Sequence, residues 1–138
     1  MSDLLRCIKR NIRAYAQDAA FVALKSLEGD LKYRIHNSGM ATRGRIGRYQ
    51  SASWMRKRRE KGLQTAYVDL QFSEQLRDDL TTGQSRGNAV MGFRTDRSKK
   101  IHDEMEGRYG KIWRPDTIEI RDLEDRFSNE LNDKIRDC

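Results

Sequence analysis

The chain has 138 residues, with charged and hydrophobic residues at 36% each, one proline and a formal net charge of +7. That length suits one domain with a modest core, and no apolar run approaches the length of a membrane span. Apolar side chains are spread too evenly for a disordered chain, yet so polar a composition with long apolar stripes points to burial finished against a partner.

The start of the chain, Met1-Ser2-Asp3-Leu4-Leu5-Arg6-Cys7, is charged and lacks the apolar core of a signal peptide. The cysteines, Cys7 and Cys138, lie at opposite ends and read as neither a disulfide framework nor a metal motif. A reduced, intracellular site of folding is the simple reading. The charge is unevenly placed: residues 31–64 carry ten cations and one acid, a local +9, while residues 115–138 sum to −4. A basic block can bind nucleic acid phosphate. Opposite blocks can also meet head to tail between copies.

In chain order, Leu4, Leu5, Ile8, Ile12, Ala16, Ala19, Ala23, Leu27, Leu31 and Ile35 recur at three and four residues. This predicts an amphipathic helix over about 3–36, capped by Ser2 or Asp3, with Gly29 as a candidate bend. Such a helix is about 45 Å long, more than a small domain needs. A loop over 39–50 follows, in which glycines alternate with Arg43, Arg45 and Arg48. No helical or strand period fits it, and it lacks the Walker spacing. It reads as a mobile basic loop that faces a partner protein or DNA. Residues 51–61 predict a short basic helix bearing Arg56, Lys57, Arg58 and Arg59, with Trp54 and Met55 as apolar anchors.

The stretch 64–95 reads as the sheet region, with a β-hairpin whose turn-rich patch spans Thr81–Asn88 between two apolar segments. A helix over about 98–107 comes next, then a short extended piece from Lys111 to Arg114. Pro115 and Asp116 start the last helix, 116–136, whose stripe is Ile118 or Ile120, Leu123, Phe127, Leu131 and Ile135. The fold class is therefore α+β, with the long N-terminal and the C-terminal helix packed on a small, mostly antiparallel sheet. The whole chain reads as a single domain.

Catalytic chemistry is not legible. His36 and His102 sit in helical contexts without a nucleophile motif. His102 with Asp103, Glu104 and Glu106 makes a weak metal set, because one histidine on an exposed helix has acidic neighbours off its own face. A metal nuclease built from Asp69, Asp78, Asp79 and Glu104 would need converging carboxylates. Asp78 and Asp79, read as strand neighbours, point to opposite faces. The reading is not an enzyme, with no cofactor and no metal.

Trp54 with the basic helix, Gly62-Leu63-Gln64-Thr65, Val68-Asp69-Leu70 with Ser73 and Leu76, Val90-Met91-Gly92-Phe93, and Glu106-Gly107-Arg108-Tyr109-Gly110-Lys111-Ile112-Trp113 follow one another in a characteristic order. This order, over roughly residues 50–135, resembles the small neck or tail-completion proteins of tailed bacteriophages. Glu74 stands where that family often has glycine. The resemblance implies a virion structural protein and assigns packing and turn roles to Trp54, Asp69, Leu70, Ser73, Leu76, Gly92, Phe93, Tyr109, Gly110 and Trp113. It also implies a homo-oligomeric ring at the head–tail connector that joins portal and tail proteins. Contact with packaged DNA would be non-specific, and no membrane is involved. Assembly would take place in the host cytoplasm. The alternative is a free nucleic-acid-binding module using residues 39–61. It is weakened because Tyr49 and Trp54 are the only aromatics among those cations.

Overall fold

A computed structural model describes residues 2–138. The class is α+β, as the periodicities predict: α1 (Asp3–Lys32), α2 (Ala52–Glu60), α3 (Gln75–Asp79), β1 (Leu80–Ser85), β2 (Asn88–Phe93), α4 (Asp96–Tyr109) and α5 (Thr117–Arg136), with β1 and β2 pairing as a two-stranded sheet. None of the helices among the described residues is long and apolar enough to cross a membrane.

The chain divides into two compact units. The first comprises the chain up to Glu28, the hairpin Thr81–Gly92, and Thr117–Cys138; the second comprises Gly29–Leu80 and Phe93–Asp116. The division falls within α1, which passes through Gly29 as continuous helix.

In the first unit Ser2 caps α1 by accepting from the Leu5 N–H at 3.2 Å. The face of α1 made by Ala19, Ala23 and Leu27 is buried. The hairpin lies along it: the Thr82 hydroxyl donates to Glu28 Oε1 at 3.0 Å, and a Cβ placed on Gly87 would fall 2.8 Å from Gln17 Nε2. α5 runs beside α1, with Lys134 Nζ 3.8 Å from Asp18 Oδ2. A disulfide joins Cys7 to Cys138, Cα atoms 5.8 Å apart. This corrects the expectation of unpaired cysteines: 131 residues separate them in sequence, but the pairing of the two helices brings their ends together.

The hairpin also corrects the sequence reading. Thr81–Ser85 is strand, not turn, and the reversal is confined to Arg86-Gly87. Both residues have positive φ, 52° and 80°, the left-handed pair that a two-residue type I′ turn requires. Asp78 and Asp79 lie in α3, not on a strand.

In the second unit α1 ends in a π-helical turn at Tyr33–Asn37, where the Ser38 N–H donates to the Tyr33 carbonyl. The wider turn carries two consecutive residues, Ile35 and His36, into the interior. Ile35 joins a core with Leu31, Ala41, Ile46, Val68, Leu76, Leu80, Ile112 and Trp113. Thr95 caps α4 through the Ser98 N–H, and Gly110 ends it with φ 87°.

Candidate functional site

The residues singled out by sequence converge on one carboxylate in the second unit. Ser51 caps α2 through the Trp54 N–H at 3.2 Å, and from α2 the Arg58 side chain turns inward to 1% exposure. Its Nη2 donates to Asp69 Oδ1 at 2.9 Å, its Nε to the Gln64 carbonyl at 3.0 Å, and its Nη1 to the Gln71 carbonyl. Asp69 Oδ1 also accepts from the Tyr49 hydroxyl at 3.2 Å and the Gln71 N–H at 2.9 Å, while Oδ2 accepts from Gln64 Nε2 at 2.8 Å. The guanidinium stacks on Tyr49, 4.5 Å from the ring centre. Burial pushes the Tyr49 phenol up to about 12, so it stays a neutral donor. Arg58 is therefore an internal pillar and not part of a solvated basic face, as its neighbours Arg56, Lys57 and Arg59 are.

Two consequences follow along the chain. The Asp69–Gln71 bond turns the backbone so tightly that Leu70 takes φ 52°, a left-handed conformation that costs a non-glycine residue about 1 kcal/mol. His36 Nδ1 lies 3.0 Å from the Asp69 carbonyl. Burial, reinforced by the nearby cations Arg77 and Lys32, lowers the imidazole to about 4, so it is neutral and donates that bond through Nδ1.

The arginine loop is tied to its surroundings by hydrogen bonds and by two buried residues of its own. Ala41 and Ile46 are buried beneath it, and Ala41 N–H to Gly44 O (2.8 Å) and Ile46 N–H to Gly39 O (3.0 Å) close it as a tight reversal. The Thr42 hydroxyl donates to the Arg114 carbonyl at 2.6 Å, and Arg34 Nη1 donates to the Met40 and Ile112 carbonyls. Arg43, Arg45 and Arg48 are all exposed, and Arg45 lies over the Tyr67 ring.

Beside this network is a cavity of about 830 Å³. Trp54, Phe72, Ile101, Met105 and Tyr109 supply its apolar walls. Arg48, Arg97 and Arg108 line it too, along with the buried Arg58, and no carboxylate does. Five positions that the resemblance marks, Trp54, Leu70, Ser73, Leu76 and Tyr109, are among its lining residues. Gly92, Phe93, Gly110 and Trp113 are not. Phe93 packs edge-on against Trp113, with ring centres 5.6 Å apart, and Trp113 stacks on His102 at 4.8 Å.

Two of the carboxylates read as a nuclease candidate, Asp69 and Asp79, are engaged separately. Asp69 holds Arg58. Asp79 accepts from the Ser98 and Thr95 hydroxyls, each at 2.6 Å, and these bonds hold its carboxyl below the usual range. His102 does share a face with an acid, contrary to the sequence reading: Glu106 Oε1 is 3.4 Å from Nε2 at i,i+4, and Asp103 Oδ1 is 2.9 Å from Nδ1. Glu106 is occupied structurally as well, accepting the Ile112 and Trp113 N–H groups. Among the described residues no group of three or more His, Cys, Asp or Glu side chains could hold a metal ion. Glu74 adopts ordinary right-handed backbone, φ −79°, so that position needs no glycine.

Sequence reasoning missed the cavity and the inward turn of Arg58. A signal for the second existed: Arg58 stands one helical turn after Trp54, on the anchor's face and not on the solvated one. Comparison with family models, curated proteins and solved structures finds no match to this chain.

Proposed function

We propose that this chain is a structural, non-catalytic component of a tailed-phage neck, working as one copy of a ring between the portal side and the tail. The observation that carries the reading is the unequal burial of the two units. The second has a full core. In the first, the buried apolar side chains are Ala19, Ala23 and Leu27, while Leu4, Leu5, Ile12, Val22, Val90, Ile118 and Ile120 remain exposed. Leu4 and Ile12 are exposed on one helical face, with the half-buried Ile8 between them, so the apolar side chains there form a stripe. Apolar stripes of this kind mark protein contact surfaces. The order of motifs over residues 50–135 gives that contact its setting, and the +9 and −4 segments give neighbours a means of attraction.

The rival reading, a free nucleic-acid-binding module, draws on the exposed Arg43, Arg45, Arg48, Arg56, Lys57 and Arg59 of the block 39–61. Its basic block is smaller by one cation than the sequence implies, since Arg58 is internal. Mixing the purified chain with portal-side and tail-side neck components, with naked DNA as the control, separates the two. Co-migration with the neck components at moderate salt supports the ring. Binding to DNA alone, with a steep loss as salt rises, contradicts it.

A further inference from the structure

We propose that the cavity of the second unit is a receptor for the first turns of α5 from a second copy of this chain, with Ile118 as the inserted anchor. This deepens the ring reading and rests on it. The occupant is argued from chemistry. Arg48, Arg97 and Arg108 are exposed along the cavity with no carboxylate among its lining residues, while the fourth arginine, Arg58, is already paired with Asp69; the three exposed cations favour a negatively charged partner. Its walls combine Val68, Leu76, Ile101 and Met105 with rings, which suits a branched aliphatic side chain. The rings are poorly placed to stack nucleobases. Trp54 and Phe72 pack on each other with centres 4.7 Å apart, Lys61 covers Phe72 at 4.1 Å, and Arg58 covers Tyr49.

The chain carries one exposed apolar segment that matches. Ile118, at 67% exposure, is the most exposed large hydrophobic residue among those described. Arg121, exposed at i+3, shares its helical face, but that face stays net acidic through Asp122 and Asp125, exposed at i+4 and i+7. They are placed to meet Arg97 and Arg108 once Ile118 is seated. Among the other exposed large hydrophobic residues, Leu4 and Leu5 are followed by Arg6, Lys9, Arg10 and Arg13, the wrong sign for this cavity. A volume of about 830 Å³ lies within the size range of ordinary binding sites and admits a turn of helix with its side chains.

The contact is heterologous, so its two halves can be disabled in separate chains. Ile118→Asp removes the anchor, and Arg97→Glu with Arg108→Glu reverses the receptor. All three positions are exposed, so circular dichroism should show the wild-type fold in each variant. Sedimentation over a range of concentrations reads the association. The wild type should self-associate, and each variant alone should do so about tenfold more weakly or worse. An equimolar mixture of the two variants should recover a heterodimer that grows no further, because one intact anchor meets one intact receptor. Self-association of both variants at the wild-type level would overturn the contact while leaving a ring built through other faces. A wild type that stays monomeric at every concentration would overturn it too. A contact that behaves as described in a chain that ignores neck components would keep the inference and remove the phage setting.

Discussion

Arg58 shows how misleading a run of like charges can be. In the sequence it is one of four consecutive cations; in the fold it is buried beneath Tyr49 and paired with Asp69. Removing one partner of such a pair strands the other charge in the interior. Arg58→Ala should therefore destabilise the protein by about 3–5 kcal/mol in denaturant unfolding. Alanine at Arg56, Lys57 or Arg59 should change it by no more than about 0.5 kcal/mol. Equal effects at all four positions would contradict the assignment. His36 gives a second test. Its folded value, about 4, lies below the ordinary 6.5. The unfolded chain takes up a proton near pH 6.5 and the folded protein does not. The stability due to a neutral His36 is thus complete above pH 6.5, falls as the pH drops from 6.5 towards 4, and is level below that. The total loss is roughly 3 kcal/mol. In His36→Gln that slope should flatten, as measured by unfolding free energies at pH 7 and pH 4.5.

At the scale of elements, period and capping were the legible signals. The long stripe with its cap at Ser2 or Asp3, the anchors Trp54 and Met55, and Pro115-Asp116 placed α1, α2 and α5 to within a few residues. The sheet was harder. Val68 and Leu70 looked like strand because they are apolar, yet Asp69 binds its own neighbourhood and bends the segment into a turn. Thr81–Ser85 looked like turn because it is polar and contains glycine, yet it pairs along Asn88–Phe93. The hairpin reversal at Arg86-Gly87 keeps an arginine at positive φ. Arg86→Asn, a residue that suits this position, should stabilise the protein by about 0.5–1 kcal/mol; no gain in melting temperature would argue against the turn. The Cys7–Cys138 bridge was not legible, because terminal cysteines become neighbours only through the pairing of α1 with α5. Its closed loop spans most of the chain, so Cys7→Ser should cost about 2–4 kcal/mol under oxidising conditions. The same substitution should have no comparable effect in reductant.

For the whole molecule, what the sequence carried best was imbalance: a polar chain with more apolar stripe than one small domain can cover. The structure places that excess on the first unit, where α1, α5 and the hairpin leave large aliphatic residues at the surface. The cavity was out of reach of sequence reading because its lining comes from the arginine loop, α2, the Asp69 turn and α4, segments that no periodicity links. Hydrogen bonds tie the arginine loop down, and Arg43, Arg45 and Arg48 are exposed on it. Charge reversal at Arg43, Arg45 and Arg48 should leave the circular dichroism spectrum unchanged and impair assembly with the neck components. Loss of helical signal in that triple variant would instead make the arginines part of the fold.

The central claim is that this chain completes its burial in a ring of its own copies at a phage neck. The direct test is its mass by sedimentation, alone and with the portal-side connector, at low and moderate salt. The result predicted is a closed multiple of the 16.2 kDa chain, formed alone or on the connector and persisting at moderate salt. A monomer that ignores the connector at every concentration, yet binds DNA with an affinity that collapses as salt rises, would contradict it.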